Sequence, residues 1–439
     1  MNQQPSAPGR RPIDGDRPLD LPRGFHDSNP AQMGAYLALQ QEWFSACGLA
    51  GYRPVAVPPV GFASTFTTGH HAAGQKLYQF TDRKGRNLAL VSDSLPALLR
   101  LTRARDLPEQ RLAFCCQVFR YERRPRRHFH HLGLMEVIDR PIGLAAQLRA
   151  TSRLAQVIVG FLATRAPVTL TIADPGLWHS MIATAAPPDQ VTGIVDSLRR
   201  LPPQQRPGRL REHGAPATLV RLAELLAADP AMAGGDAGQG AIGALPQAFH
   251  DRIAGAWELA AMLRRQGVTA EVDLGCLHAS EFHDGPSFLI APRGQRRLLG
   301  DGGTYGHFAH KFLGAPAAVH SAVIGLERLA DLIATPGIRA PADVAVLARP
   351  EPGAIDHADQ LTASLRAAGI AVWDIVQSKS LEKHLRDIAA LAIPYSVLIG
   401  PRELSSASCT VRDPAGTLHI VPAHELGPWI AGRRSGTSR

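Results

Sequence analysis

Residues 119–133 read FRYERRPRRHFHHLG and place five arginines, Arg120, Arg123, Arg124, Arg126 and Arg127, within eight positions. A guanidinium is planar, never loses its charge at physiological pH, and donates two parallel hydrogen bonds, so grouped arginines suit phosphate oxygens. Three chemistries compete for the stretch: a sticky basic surface, a polyphosphate site, or a metal site on the histidines that follow. Metal is the weakest of these. Strand alternation sends His128 and His130 to one face and His131 to the other, and His70 and His71 lie far upstream. No carboxylate or cysteine stands at ligand spacing, so zinc is not expected.

The elements that must position these groups follow from the hydrophobic pattern. Residues 31–49 carry apolar side chains at helical spacing and are closed by Gly51; YRPVAVPPV follows as a strand with a Pro-Pro stop. Between 77 and 140 short strands succeed one another: LYQFTD, a KGR turn at 84–86, NLALVSD, a helix at about 95–105, LAFCCQVFRYE, and HFHHLGLMEVI after the basic turn. Their period-two pattern points to an antiparallel sheet. From about 186 to 268 the pattern is helical with Pro/Gly-rich breaks, which reads as an insertion. Strands return at 270–299, a glycine-rich turn GDGGTYG is expected at 300–306, and a helix at 323–333. TPGIRAPAD at 335–343 reads as a linker, and 344–432 alternate strand and helix as a compact α/β domain with a largely parallel core. Residues 1–18 read as a disordered lead and 433–439 as a tail, leaving 19–334 as the larger domain.

Bulk composition sets outer limits. The 439 residues exceed one ordinary core, and 45% hydrophobic with 19% charged residues is a globular balance. The sequence has no apolar run of the length a membrane helix needs, and MNQQPSAPGRRPIDGDRP has no apolar signal region, so a cytoplasmic protein is expected. Five cysteines, odd in number and without CxxC spacing, argue against a disulfide framework; Cys115 and Cys116 read as small buried hydrophobes. The net charge of +9 comes almost wholly from arginine and favours anionic partners such as nucleotide or RNA, although a GC-rich coding sequence produces the same bias.

Several segments, taken together, resemble a class II aminoacyl-tRNA synthetase of the histidyl type: LPRGFHDSNP (21–30), LYQFTDRKGRNLALVSD (77–93), VFRYER (118–123, as motif 2), VIGLERL (323–329, as motif 3) and LEKHLRDIAALAIPYSVLIGPREL (381–404, as anticodon-binding domain). The resemblance runs in the family's order from about 20 to 430. It implies an α+β catalytic core, an antiparallel sheet flanked by helices, with a helical insertion and a C-terminal α/β anticodon-binding-like domain. It also implies a homodimer joined through the helix at 31–49, and adenylation with ATP and Mg²⁺. By resemblance Arg120 takes the α-phosphate and Arg328 the γ-phosphate, Glu122 accepts from the adenine amino group, Phe129 stacks on the purine, and Arg126 or Arg127 supplies the loop cation. The physical logic agrees, since fixed cations must meet charge that builds on phosphate oxygens as a carboxylate attacks.

Departures concentrate where an amino acid would sit. After NLAL only an acid, Asp93, matches the family's pattern; it is expected to meet a substrate ammonium and equally to cap the helix that follows. Where the family has an arginine-glycine-leucine-aspartate-tyrosine-tyrosine motif, residues 278–283 read HASEFH. His278 thus replaces the carboxylate-activating arginine, and Glu281, His283 and Asp284 join it in a more polar pocket. Tyr305 keeps part of the next motif, while His131 replaces a glutamine. The motif 2 turn is shortened, and the downstream acid is shifted by one residue to Glu136, with Met135 in the expected register. A one-residue shift reverses the face a strand residue uses, so either a bulge restores Glu136 or that ammonium ligand is lost. The expectation is therefore a divergent paralogue that adenylates an amino acid, not histidine or not by the usual contacts, and passes it to tRNA or another acceptor. Two other classes stand beside it: a non-catalytic regulatory paralogue like the synthetase-like subunit of ATP phosphoribosyltransferase, and an RNA-binding module.

Overall fold

The computed structural model describes residues 20–67, 76–103, 109–122, 126–230, 243, 245–280, 282–333 and 340–434. The chain divides into two compact units, residues 1–335 and 336–439. The histidine pair at 70–71, the lead, the tail, most of the linker, Arg123, Arg124 and Glu281 lie outside the described residues.

The first unit is built on eight strands: β1 (Arg53–Val55), β5 (Glu109–Phe119), β6 (His128–Ile138), β7 (Val168–Ala173), β8 (Ala270–Val272), β9 (Ser287–Pro292), β10 (Gly300–Thr304) and β11 (Ala318–Gly325). Their order is β1-β5-β6-β11-β10-β9-β7-β8, antiparallel through the centre with a parallel pair at each edge. Strands β2 (Val60–Phe62), β3 (Gln79–Thr81) and β4 (Asn87–Leu90) form a separate small sheet.

Both faces of the large sheet are covered, and β6 shows how. Leu132 and Leu134 pack with Trp43 of the Pro30–Leu49 helix and Leu154 of the Leu144–Leu162 helix. Met135 and Val137 pack on the opposite face with Leu98, Leu99 and Phe308. The Pro30–Leu49 helix begins with a capping box, Asn29 and Gln32 each satisfying the other's backbone N–H, and buries the stripe Tyr36, Leu39, Trp43 and Cys47. Gly133 leaves room for the Phe114 ring, which a Cβ there would meet at 2.2 Å.

Two expectations change. The glycine-rich turn at 300–306 is in fact mostly β10, a central strand. Its glycines let neighbouring backbones close in: a Cβ on Gly300 would lie 1.8 Å from the Val323 carbonyl oxygen, and one on Gly302 2.4 Å from Ala322 Cβ. The helical stretch is also less separate than an insertion implies. Its last helix, Gln247–Arg264, buries Ile253, Leu259 and Leu263 in the same core as the sheet. Among the described residues no helix is long and apolar enough to cross a membrane.

The second unit has the sheet order β13-β12-β14-β15-β16, in which β12 (Val344–Ala348), β13 (Val372–Val376) and β14 (Tyr395–Ile399) are parallel. The antiparallel β15 (Ser408–Arg412) and β16 (Leu418–Pro422) extend it. β12 is buried along its whole length, as a central parallel strand requires.

Candidate functional site

A cleft of about 870 Å³ opens in the first unit over the C-terminal end of β5 and the strands β6, β10 and β11. Motif residues far apart in sequence meet there: Asp93, Arg120, Phe129, His278 and Arg328 all line it. The pairing of β5 with β6 runs unbroken from Phe119–His128 to Glu109–Ile138, so alternation decides which side chains face the cleft. Phe129 and His131 face it.

Arg120 follows β5 directly. Its Nε donates to the Ser92 carbonyl at 2.8 Å, its Nη2 donates to Asp93 Oδ2 at 3.0 Å, and its guanidinium lies 5.5 Å from the centroid of the Phe129 ring. Of the two roles expected of Asp93 the cap is present: its other oxygen accepts the Leu95 N–H at 3.0 Å at the start of the Ser94–Arg103 helix. Glu122 lines the cleft with Lys76 Nζ 3.1 Å away. The two arginines left open by the sequence separate here. Arg126 lines the cleft. Arg127 does not: its Nε donates to the Glu122 carbonyl, its guanidinium sits over the Tyr121 ring at 4.5 Å, and its chain packs against Gly24. Of the two, only Arg126 faces the cleft, and Arg127 is a brace.

Arg328 starts from the short helix Leu326–Leu332 that follows β11, and its Nη1 donates to the Leu298 carbonyl at 3.0 Å. The neighbouring Glu327 faces β6, where His130 donates its backbone N–H to one carboxylate oxygen at 2.9 Å and its ring stands 2.7 Å from the other. Burial pushes the Glu327 carboxyl up, but these His130 contacts outweigh it and hold the group below the ordinary carboxylate value.

At the other end of the cleft lie His131, His278, Asp301 and Tyr305. His131 is buried, 3.4 Å from the Ser94 hydroxyl; burial, reinforced by the Arg120 charge, brings its pKa down to about 4, so it is neutral at pH 7. Burial raises the Tyr305 phenol well above its ordinary value, and the Asp301 charge adds to this. Asp301, which sequence reasoning passed over inside GDGG, points from β10 into the cleft with His278 Nε2 at 3.3 Å and His283 Nε2 at 3.8 Å. Burial opposes its ionisation, yet the two imidazoles hold the carboxyl far below its usual range. The signal available in the sequence was an acid set between glycines; it was hidden by reading the segment as a turn.

Four substrate assignments need correction or fall away. Glu136 is not in the cleft. No bulge interrupts β6, so Glu136 faces the opposite side with no exposure, where Arg153 Nε donates to it at 2.7 Å and the Tyr52 hydroxyl also donates. Met135 takes the cleft-side face. Asp284 is not a lining residue either: its carboxylate accepts the Gly306 N–H at 3.0 Å, at the start of the Gly306–Leu313 helix. His283 stands behind the lining, its ring tilted against Tyr305 with centroids 4.5 Å apart. The cause lies in the 278–284 turn, where Ala279 takes a positive φ of 51° and the N–H groups of Phe282 and His283 both reach back to its carbonyl. Glu281 falls outside the described residues. The helical stretch contributes Arg199 and Arg206 to the rim, also unforeseen; Arg206 is buried and donates to the Leu198 and Gly275 carbonyls.

Comparison with known proteins agrees with this architecture. The histidyl-tRNA synthetase family model matches residues 24–325, and an anticodon binding domain model matches 343–430. A histidine–tRNA ligase from Pyrobaculum neutrophilum is 24% identical over 413 residues, covering 89% of this chain and 94% of its own. An ATP phosphoribosyltransferase regulatory subunit from Moorella thermoacetica is 34% identical over 193 residues, 41% of this chain and 48% of its own. Among solved structures, the histidyl-tRNA synthetase from Nostoc sp. PCC 7120 superposes with a TM-score of 0.73 at 19% identity, covering 94% of this chain and 99% of that one. An ATP phosphoribosyltransferase regulatory subunit/histidyl-tRNA synthetase from Bacillus halodurans gives 0.70 at 17%, covering 85% and 97%. At these identities the structural likeness speaks for fold.

Proposed function

Since this chain belongs to the histidyl-tRNA synthetase family, we propose that its cleft binds ATP and adenylates an amino acid. A carboxylate oxygen attacks the α-phosphorus, the bond to the leaving pyrophosphate breaks, and the acyl group of the adenylate then passes to a tRNA end or another nucleophile with AMP as the leaving group. The observation that carries this reading is the convergence of Arg120, Arg126 and Arg328, from three segments, on one cleft with the Phe129 ring. Arg120 and Arg328 meet charge growing on phosphate oxygens, Phe129 offers a stacking face for the base, and Glu122 an acceptor for its amino group. Mg²⁺ would arrive with the nucleotide and offset its phosphate charge; Glu327, with both oxygens engaged by His130, is not set to hold it. Asp93 is placed to receive the substrate ammonium, exchanging part of its bond to Arg120.

The amino acid is not histidine held by the usual contacts. Glu136 has left the pocket, and His278 stands where the resembled family has an arginine. A second reading, a regulatory subunit without catalysis, draws on the Moorella relative and on Arg120 being tied to Asp93. Pyrophosphate exchange into ATP separates the two: adenylation requires exchange dependent on an amino acid, and regulation requires ATP binding without it.

A further inference from the structure

Four of the carboxylates that line the cleft, Asp93, Glu122, Asp301 and Glu327, differ in what already neutralises them. Lys76 stands at 3.1 Å from Glu122, Arg120 at 3.0 Å from Asp93, and His130 holds Glu327. Asp301 has no lysine or arginine ion pair among the described residues; its two ion-pair neighbours are imidazoles. The His278 bond is long, and that side chain is 43% exposed, free to yield to a ligand. His283 is 2% exposed and neither of its ring nitrogens makes a hydrogen bond among the described residues, although Nε2 faces Asp301. The carboxylate cannot retreat, because Gly300 and Gly302 on either side lie in tight contact with β11.

Asp93, His131, Asp301 and Tyr305 line the same cleft. His131 is neutral there. Of the carboxylates that line this cleft, Asp93 is assigned to a substrate ammonium and Asp301 is unassigned. A neutral side chain packed against Asp301 would strip water from a charge without replacing it, whereas a cation would compensate it.

We propose that Asp301 receives a permanently cationic side-chain group, so that the ligand of this cleft is an amino acid with a basic side chain, ammonium or guanidinium. The assignment of Asp93 to the α-ammonium rests on the adenylation reading above. The test is calorimetric titration of the full-length protein, with a non-hydrolysable ATP analogue present, against lysine, ornithine, arginine, histidine and norleucine. Norleucine matches the lysine side chain but lacks its charge. At least one basic amino acid should bind tenfold or more tighter than norleucine and than histidine. Asp301→Asn should erase that margin while ATP-analogue affinity and melting temperature stay unchanged; if that variant does not fold, the wild-type series decides alone. Binding of norleucine or histidine as tight as every basic amino acid, absence of binding by all basic amino acids, or a margin that survives in folded Asp301→Asn would each overturn the proposal. Pyrophosphate exchange with a neutral amino acid alone would leave adenylation standing and refute this assignment; tight, Asp301-dependent lysine binding without exchange would do the reverse.

Discussion

At one end of the cleft the charged groups are long: Arg120, Arg126 and Arg328 arrive from a strand end, a turn and a short helix. At the other end they are short: Asp301 projects from the middle of a strand, with His278 and His283 from the turn opposite. A guanidinium at the end of a flexible stem tolerates small changes in backbone position, so a shortened turn between β5 and β6 still delivers cations. A short side chain goes wherever its strand register sends it, and a single residue moves it through the sheet. The two ends therefore fail differently when altered, and several variants exploit that.

The largest effect is expected from Arg328→Ala. If the arginine end works by transition-state charge, amino-acid-dependent exchange should fall about 10²–10³-fold with a melting temperature near wild type, as losing one preorganised donor does elsewhere. Near-normal exchange would remove Arg328 from the nucleotide site. Next is Arg153→Met, which leaves the Glu136 carboxylate buried and unpaired and should cost about 3–5 kcal/mol in denaturant unfolding. Glu136→Gln should likewise destabilise the fold yet leave the amino-acid KM unchanged. A KM rise of tenfold would return Glu136 to the pocket and break the contrast drawn from register.

Asp93→Asn sharpens the division at its midpoint. Asparagine still caps the Ser94–Arg103 helix, so stability should hold within about 0.5 kcal/mol, while Asp93→Ala should lose about 1 kcal/mol. Both should raise the amino-acid KM about tenfold, the effect of one lost charge-assisted bond. A smaller effect is a pH slope. Below pH 6.5 the unfolded chain takes up protons that buried His131 and His320, each held at about 4, refuse in the folded state. The unfolded state then binds more protons, so stability should decline as pH falls from 6.5 to 4, and His320→Gln should flatten the decline. A flat wild-type profile over that range would contradict the burial of both rings.

How much of this could be read in advance follows the same contrast. The motif order, the two hairpin strands and the gathering of Arg120, Arg126 and Arg328 on one cleft were legible, because they depend on residue type and local period. Asp93 was legible as a helix cap for the same reason, since capping is set by neighbours in sequence. Glu136 was not, because an unbroken ladder and a bulged one look alike in sequence, and the choice rests on Arg153 and Tyr52 from other elements. Nor was Asp301, since its segment has the glycines of a turn and becomes a strand only where Ala322, Val323 and Phe288 close on it. Arg127 was indistinguishable from Arg126 until Gly24 and Tyr121 were seen to claim it.

The most direct test of the account is ATP–pyrophosphate exchange by the wild-type chain and by Arg328→Ala, measured across the amino acids one at a time. The account requires exchange with at least one amino acid other than histidine, lowered about 10²–10³-fold in the variant. ATP binding with no exchange for any amino acid, or exchange with histidine alone, would contradict it.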